Sequence, residues 1–176
     1  MEGVAVSELE ARIEDSKNWF ERAALHVPGY KGYKQKEMRR EADKLQRTYV
    51  AERLETARKG LEKLQLALTR GGGLALLGAI DTTQRRLRTV KNRYLVADYG
   101  YAGMFDIVKV DEDVLDRLYQ FDVQSQEQAK GVEELVATLK PESPSLRSDL
   151  ALLDERVEAL DLYFSEREHL ITGVGR

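Results

Sequence analysis

Apolar residues recur along this chain at alternating intervals of four and three residues, in one segment after another. This spacing places them on one side of an α-helix, and a helix with one apolar side needs partner helices to cover it. The pattern therefore predicts an all-α fold, an antiparallel up-down helical bundle with coiled-coil-like heptad spacing. The clearest row lies near the end of the chain and comprises Leu146, Leu150, Leu153, Val157, Leu160 and Phe164.

Breaks in this pattern divide the chain into about five helices within a single domain, residues 1–176. All three prolines and the run Gly71–Gly73 fall between the segments, where residues that disfavour helix are expected. In the second segment the apolar row shifts by one residue at Tyr49 and Val50, which predicts a local change of packing register. The predicted helices span about residues 7–25, 33–70, 74–98, 111–139 and 144–170.

Several classes of protein are disfavoured by the composition. The chain has no cysteine, which excludes a disulfide scaffold, a thiol nucleophile and a cysteine-ligated metal site. The first residues lack the pattern of a signal peptide, and no apolar run approaches the roughly 20 residues that cross a bilayer. We therefore expect a cytoplasmic protein that is at most peripheral to a membrane. Phosphate-loop and hydrolase motifs are missing from the sequence, so no catalytic residue and no cofactor is assigned.

Charge is divided unevenly along the chain, although the net charge is only −3. Residues 31–93 hold 17 Lys and Arg against 7 Asp and Glu, whereas residues 111–176 hold 7 against 16. One interpretation is internal, with a basic hairpin packed beside an acidic one. In the other, the basic helices 31–47 and 85–93 meet an acidic protein, an anionic membrane surface or a nucleic acid. The cations that would make such a contact are Lys34, Arg39, Arg40, Arg85, Arg86, Arg88, Lys91 and Arg93.

Up-down winding would bring the first turn, the third turn and the end of the last helix to one end of the bundle. His26 and His169 would meet there, and Glu166 stands three residues before His169, on the same helix face. Ferritin-like metal sites use this Glu–His pair twice, and because the chain has it once, no metal site is assigned. The same end would carry an aromatic surface for a partner, formed by Tyr30, Tyr33, Tyr99, Tyr101 and Phe105.

Two short stretches of the sequence resemble a known protein family. Residues 28–33 read Pro-Gly-Tyr-Lys-Gly-Tyr and precede the charged run 36–44, and residues 101–106 read Tyr-Ala-Gly-Met-Phe-Asp and precede the run 108–113. These stretches resemble an uncharacterised bacterial all-helical family that accompanies band-7 (SPFH-type) membrane proteins. The predicted long hairpin is also similar in architecture to that of phage-shock-type proteins. The resemblance implies a membrane-associated complex and assigns no catalytic residue.

These patterns together predict a non-enzymatic helical scaffold or protein-interaction module in the bacterial cytoplasm, with a protein partner or with self-association. Two alternatives stay open. A nucleic-acid-binding helical protein would use the basic helices, although a pI near 5.6 is low for that class. A metal- or small-ligand-binding bundle would bind its ligand at the end that holds the histidines.

Overall fold

The computed structural model describes residues 31–71, 73–97 and 112–174 of the chain. The described residues are helical apart from their turns and contain no strand, which confirms the predicted all-helical bundle. The predicted helix 7–25 lies outside them. One turn of 3-10 helix, Leu74–Leu76, lies directly before the α-helix that begins at Leu77. The described residues form four α-helices, which are α1 (Lys31–Gly71), α2 (Leu77–Val96), α3 (Glu112–Thr138) and α4 (Leu146–Val174).

The four helices form two antiparallel hairpins that lie side by side. The first hairpin is α1 with α2, the second is α3 with α4, and α1 also packs against α3 while α2 packs against α4. Between α2 and α4, Arg86 bonds Glu158 and Arg93 bonds Glu168. Because the residue numbers rise together, these two helices run parallel. The neighbours are therefore antiparallel within each hairpin and parallel between the hairpins, and both hairpin turns lie at the same end.

The core follows the predicted apolar rows. In α4 every residue of the predicted row is at most 2% exposed, and Leu54 of α1 and Leu87 of α2 are completely buried in the same cluster. Burial of one such leucine stabilises the fold by about 1.5–3 kcal/mol. Towards one end of the bundle the Tyr94 and Phe164 rings pack with their centroids 4.2 Å apart. The core is thus continuous from the hairpin turns to this aromatic pair.

Near Tyr49 and Val50 the structure places two rows of α1 against the core. The predicted row is one of them, since Tyr49 belongs to the core cluster and Leu45 packs against it. The other row continues from Val50 towards the start of the helix at the same spacing, through Arg47 and Asp43, which are 3% and 6% exposed. Tyr49 is buried as well, beneath the guanidinium of Arg53, which lies 4.9 Å from its ring centroid. The apolar spacing did not predict this second row, because its next two positions are charged.

The turn between α1 and α2 is held by backbone hydrogen bonds. The N–H of Gly73 donates to the carbonyl of Leu68 at 2.9 Å, the six-residue closure of a Schellman motif. The N–H of Leu76 then donates to the carbonyl of Gly73 at 3.2 Å and opens the 3-10 turn. A Cβ at Gly73 would lie 2.5 Å from a methyl carbon of Leu68, so the glycine lets the turn fold back onto the helix end.

Gly60 lies where α1 and α3 approach each other closely. A Cβ at this position would lie 2.6 Å from Cγ1 of Val136. Gly60→Ala is expected to lower the free energy of unfolding by about 1–2 kcal/mol, because the strain of moving Val136 exceeds the gain in helix propensity. Chemical denaturation measures the change. Gly78→Ala in α2 is the matched control, since no atom lies within 4 Å of its added Cβ, and equal effects at both positions would contradict the prediction.

Candidate functional site

A buried network of ion pairs lies at the end of the bundle opposite the hairpin turns. The Arg167 side chain of α4 is 3% exposed and pairs with the carboxylates of Asp43 in α1 and Asp122 in α3, the latter at 2.8 Å. Arg47 bonds the other carboxylate oxygen of Asp43 at 2.9 Å. Two cations and two anions thus neutralise one another, and one guanidinium joins three helices.

The same network attaches α2. Nη1 of Arg47 donates a hydrogen bond of 3.0 Å to the carbonyl of Tyr94, in the last turn of α2. Carbonyls there have no partner within their own helix, and a cation is favoured beside them. The Tyr94 hydroxyl donates to Oγ of Ser125 in α3 at 3.2 Å. All four described helices are therefore joined at this end of the bundle.

Burial determines the electrostatics of the network. Burial raises the pKa of Asp122, and the charge of Arg167 opposes this only in part. Burial also lowers the pKa of the Arg167 guanidinium, but Asp122 and Asp43 together outweigh it, so the net shift is upward. Burial likewise raises the pKa of the Tyr94 hydroxyl. Charges that neutralise one another away from water fit a structural role, the fixing of helix ends in register.

The basic hairpin meets the acidic hairpin along the contact of α2 with α4. Nη1 of Arg86 lies 3.2 Å from Asp154 and 2.7 Å from Glu158. Seven residues later, Arg93 bonds Asp161 and, at 2.6 Å, Glu168. An interval of seven residues returns to the same edge of a helix, so both arginines face α4. For these cations the internal interpretation of the charge division is correct.

A second set of ion pairs lies between α1 and α2. Nζ of Lys91 is 2.8 Å from the Glu55 carboxylate, which also accepts a hydrogen bond from Arg58 at 2.7 Å. The bond from Arg58, with the further bond from Lys91, outweighs the effect of burial and lowers the pKa of Glu55 to about 2. The ionised form of Glu55 is thus favoured in the folded chain.

Glu55 is therefore expected to stabilise the fold in a way that depends on pH. Its contribution is complete above its ordinary pKa of 4.5 and is lost as the pH falls towards about 2. The difference in free energy of unfolding between the wild type and Glu55→Gln should shrink between about pH 6 and about pH 3. Glu127→Gln in α3 controls for the loss of an exposed carboxylate. A difference that does not change with pH would contradict the prediction.

The five cations of α2 that were predicted to contact a partner fall into two groups in the structure. Arg86, Lys91 and Arg93 belong to the internal pairs described above. Arg85 and Arg88 are exposed on the outer side of α2, and neither pairs with a carboxylate in the described part of the chain. The structure does not describe the other side chains that were predicted to make contacts. They are Tyr30, Tyr33, Lys34, Arg39, Arg40, Tyr99, Tyr101 and Phe105.

The end that was predicted to collect the histidines is described only in part. Glu166 and His169 are exposed near the end of α4, and His26 lies outside the described residues. Among the residues that the structure describes, no group of three or more His, Cys, Asp and Glu side chains is arranged to hold a metal ion. The helix ends that meet here are those of the ion-pair network.

Three of the described helices expose large apolar side chains, a single one on α1, where Leu66 is 52% exposed, and two each on α2 and α4. On α4, Leu152 is 41% exposed and Leu162 is 62% exposed, with the exposed Ala159 between them. On α2, Leu95 and Val96 are 47% and 60% exposed. Large apolar side chains that are aligned on a helix surface indicate an interaction site more strongly than scattered ones do.

Reasoning from the sequence missed Asp43, Asp122 and Arg167. Each of them continues a buried row by one helical step, because Arg167 follows Phe164 by three residues and Asp122 follows Leu118 by four. A charged residue in phase with an apolar row would have indicated a buried pair.

No protein family model, curated protein or solved structure matches this chain. Within the described part of the chain, no helix combines the length and the apolar character that crossing a bilayer requires. The features that indicate a function are the outward cations of α2 and the exposed apolar residues of α2 and α4.

Proposed function

We propose that this chain is a non-enzymatic helical scaffold or protein-interaction module. The outer side of α2 supports this most strongly, because Arg85 and Arg88 are exposed there on the same helix as Leu95 and Val96. Arginine and large apolar side chains are typical of the surfaces by which proteins bind one another. Internal carboxylates already bind the other three cations of α2. Among the described residues Arg85 bonds the backbone carbonyl of Asp81 and neither Arg85 nor Arg88 pairs with a carboxylate, so their charges are available to a partner.

The buried network supports a scaffold in particular. A bundle whose helix ends are joined by Arg167 and Arg47 presents its outer surfaces in a fixed geometry. A partner then binds without ordering the helices first, and this lowers the entropic cost of association. The mechanism is helix pairing on the outside of the bundle.

In the form we propose, the bundle contains five helices with coiled-coil-like spacing, and residues 7–25 form the additional helix. The protein acts in the bacterial cytoplasm. Its role there is to bind another protein at the surface of a membrane. The resemblance of residues 28–44 and 101–113 to a family that accompanies band-7 proteins supports such a membrane-associated complex. The partner surface is acidic, because the cations that face it are Arg85 and Arg88.

Reversal of the two outward charges tests the proposal. Tagged wild type and Arg85→Glu/Arg88→Glu are purified from native cell lysate at low salt and at about 0.5 M salt, which screens exposed charges. Mass spectrometry then identifies bound proteins, and a nucleic-acid assay is run on each eluate. We expect a protein that binds the wild type at low salt and is lost from the variant. Lys140→Glu/Arg147→Glu, which reverses two exposed cations near the turn between α3 and α4, should retain it.

Two results would contradict the proposal. One is a partner that the wild type and Arg85→Glu/Arg88→Glu retain equally. The other is an eluate that contains nucleic acid and no partner protein, with an amount of nucleic acid that falls steeply as the salt concentration rises. That result would favour the nucleic-acid alternative. Circular dichroism of both variants checks that the helices are intact.

A further inference from the structure

The α4 helix carries apolar residues on two opposite sides. Its buried row faces the core, and Leu152, Ala159 and Leu162 form a second row on the outside, which we call the outer row of α4. Intervals of seven and three residues keep this row on one side of the helix. Leu162 is 62% exposed, more than any other large apolar residue of the described part of the chain. A helix that is apolar on both sides is typical of a helix covered on both sides.

Acidic residues accompany the outer row. Glu155 and Glu166 are exposed, and neither pairs with a cation among the residues that the structure describes. Residues 146–174 as a whole contain seven Asp and Glu against three Arg. The outer row of α4 therefore favours a partner that offers apolar contact together with positive charge.

The outer side of α2 offers both. Arg88, Asn92 and Leu95 stand at intervals of four and three residues, so they lie along one side of the helix. All three are exposed, and Leu95 is 47% exposed. We call this row the outer row of α2. Like α4, α2 thus has an outward apolar position in line with an outward charge.

The two outer rows match in spacing and in charge. Glu155 lies beside the outer row of α4, and together with Ala159 and Leu162 of that row it has the same intervals of four and three residues. If the two helices lie parallel in that register, Arg88 meets Glu155 and Leu95 meets Leu162. The small side chain of Ala159 between these contacts allows the helices to approach closely.

We propose that the partner of the outer row of α2 is the outer row of α4 in a second copy of this chain. This rests on the proposed function, because it names the partner of the same surface. The two rows lie on different helices, so the contact is heterologous. Each pair of copies keeps one free α2 row and one free α4 row, and assembly continues into a ring or a filament.

Sedimentation velocity of the purified full chain tests this over a range of protein concentrations. At about 0.05 M salt we expect the wild type to sediment as species larger than a dimer, and at about 0.5 M salt as a monomer. Arg88→Glu and Glu155→Arg should each sediment as a monomer at low salt, because like charges then meet at every contact. Lys140→Glu, far from both rows, should assemble as the wild type does.

Charge complementation provides the decisive measurement. In an equal mixture of Arg88→Glu and Glu155→Arg, every contact between unlike chains joins opposite charges, so assembly should return. The double variant Arg88→Glu/Glu155→Arg should assemble alone for the same reason. A wild type that stays monomeric at low salt, or assembly that survives both single variants, would overturn the inference. The proposed function would still stand if a different protein from the lysate depends on Arg85 and Arg88.

Discussion

Replacement of Arg167 by alanine is expected to lower the free energy of unfolding by about 3–5 kcal/mol. The substitution removes the cation that lies between Asp43 and Asp122. A mostly buried carboxylate that loses its partner is costly, because little water reaches it to solvate the charge. Asp43 keeps its bond to Arg47, so Asp122 bears most of the loss, and we expect it to take up a proton in the variant. Urea denaturation measures the change.

Two further variants separate this effect from the loss of any arginine. Arg156→Ala on the same helix removes an exposed side chain whose bond to the Gly131 carbonyl is 3.4 Å long, and it should change stability by less than about 0.5 kcal/mol. Asp122→Asn combined with Arg167→Ala should cost less than the sum of the two single changes, by about 0.5–3 kcal/mol. Strictly additive losses would show that the two residues do not share a network.

Phe164→Ala is also expected to lower the free energy of unfolding by about 3–5 kcal/mol. The side chain is completely buried, and its ring contacts the Tyr94 ring and lies 5.0 Å from the guanidinium of Arg93. Alanine leaves a cavity next to Tyr94, whose carbonyl and hydroxyl both belong to the network at the end of the bundle. The loss therefore includes packing and some of the polar contacts.

A matched control for Phe164→Ala lies two residues earlier on α4. Leu162→Ala removes an exposed side chain, and at dilutions where the chain is monomeric it should change stability by less than about 0.5 kcal/mol. Phe164→Leu keeps most of the volume and should cost less than about 2 kcal/mol. A loss for Phe164→Ala no larger than that for Leu162→Ala would contradict the burial of this ring.

The helices of this fold could be predicted well, because buried positions repeat with the period of the helix itself. The row from Leu146 to Phe164 is buried as its spacing requires. In α1 the apolar row did not predict burial at its next positions, Arg47 and Asp43, because both are charged. A pattern of apolar residues alone treats such positions as surface, whereas a buried pair of opposite charges continues the row.

The surface cations were harder to predict because neighbouring residues on a helix point in different directions. Arg85 and Arg86 are adjacent in sequence and differ by about 100° around the helix. Arg86 faces α4 and pairs there, whereas Arg85 faces outward. Which side of α2 is covered depends on the packing of the two hairpins, and Arg86 and Glu158 are 72 residues apart. Local spacing contains no information about that neighbour.

The arrangement of two hairpins side by side also has a consequence for folding. Contacts within the hairpins close short loops, as between Gln65 and Gln84, which are 19 residues apart. The pairs that Arg86 and Arg93 make with α4 close loops of about 70 residues, so more chain entropy is lost before they form. We therefore expect each hairpin to form first and these pairs to form after the main barrier. The ion pairs between the hairpins then slow unfolding and have little effect on the folding rate.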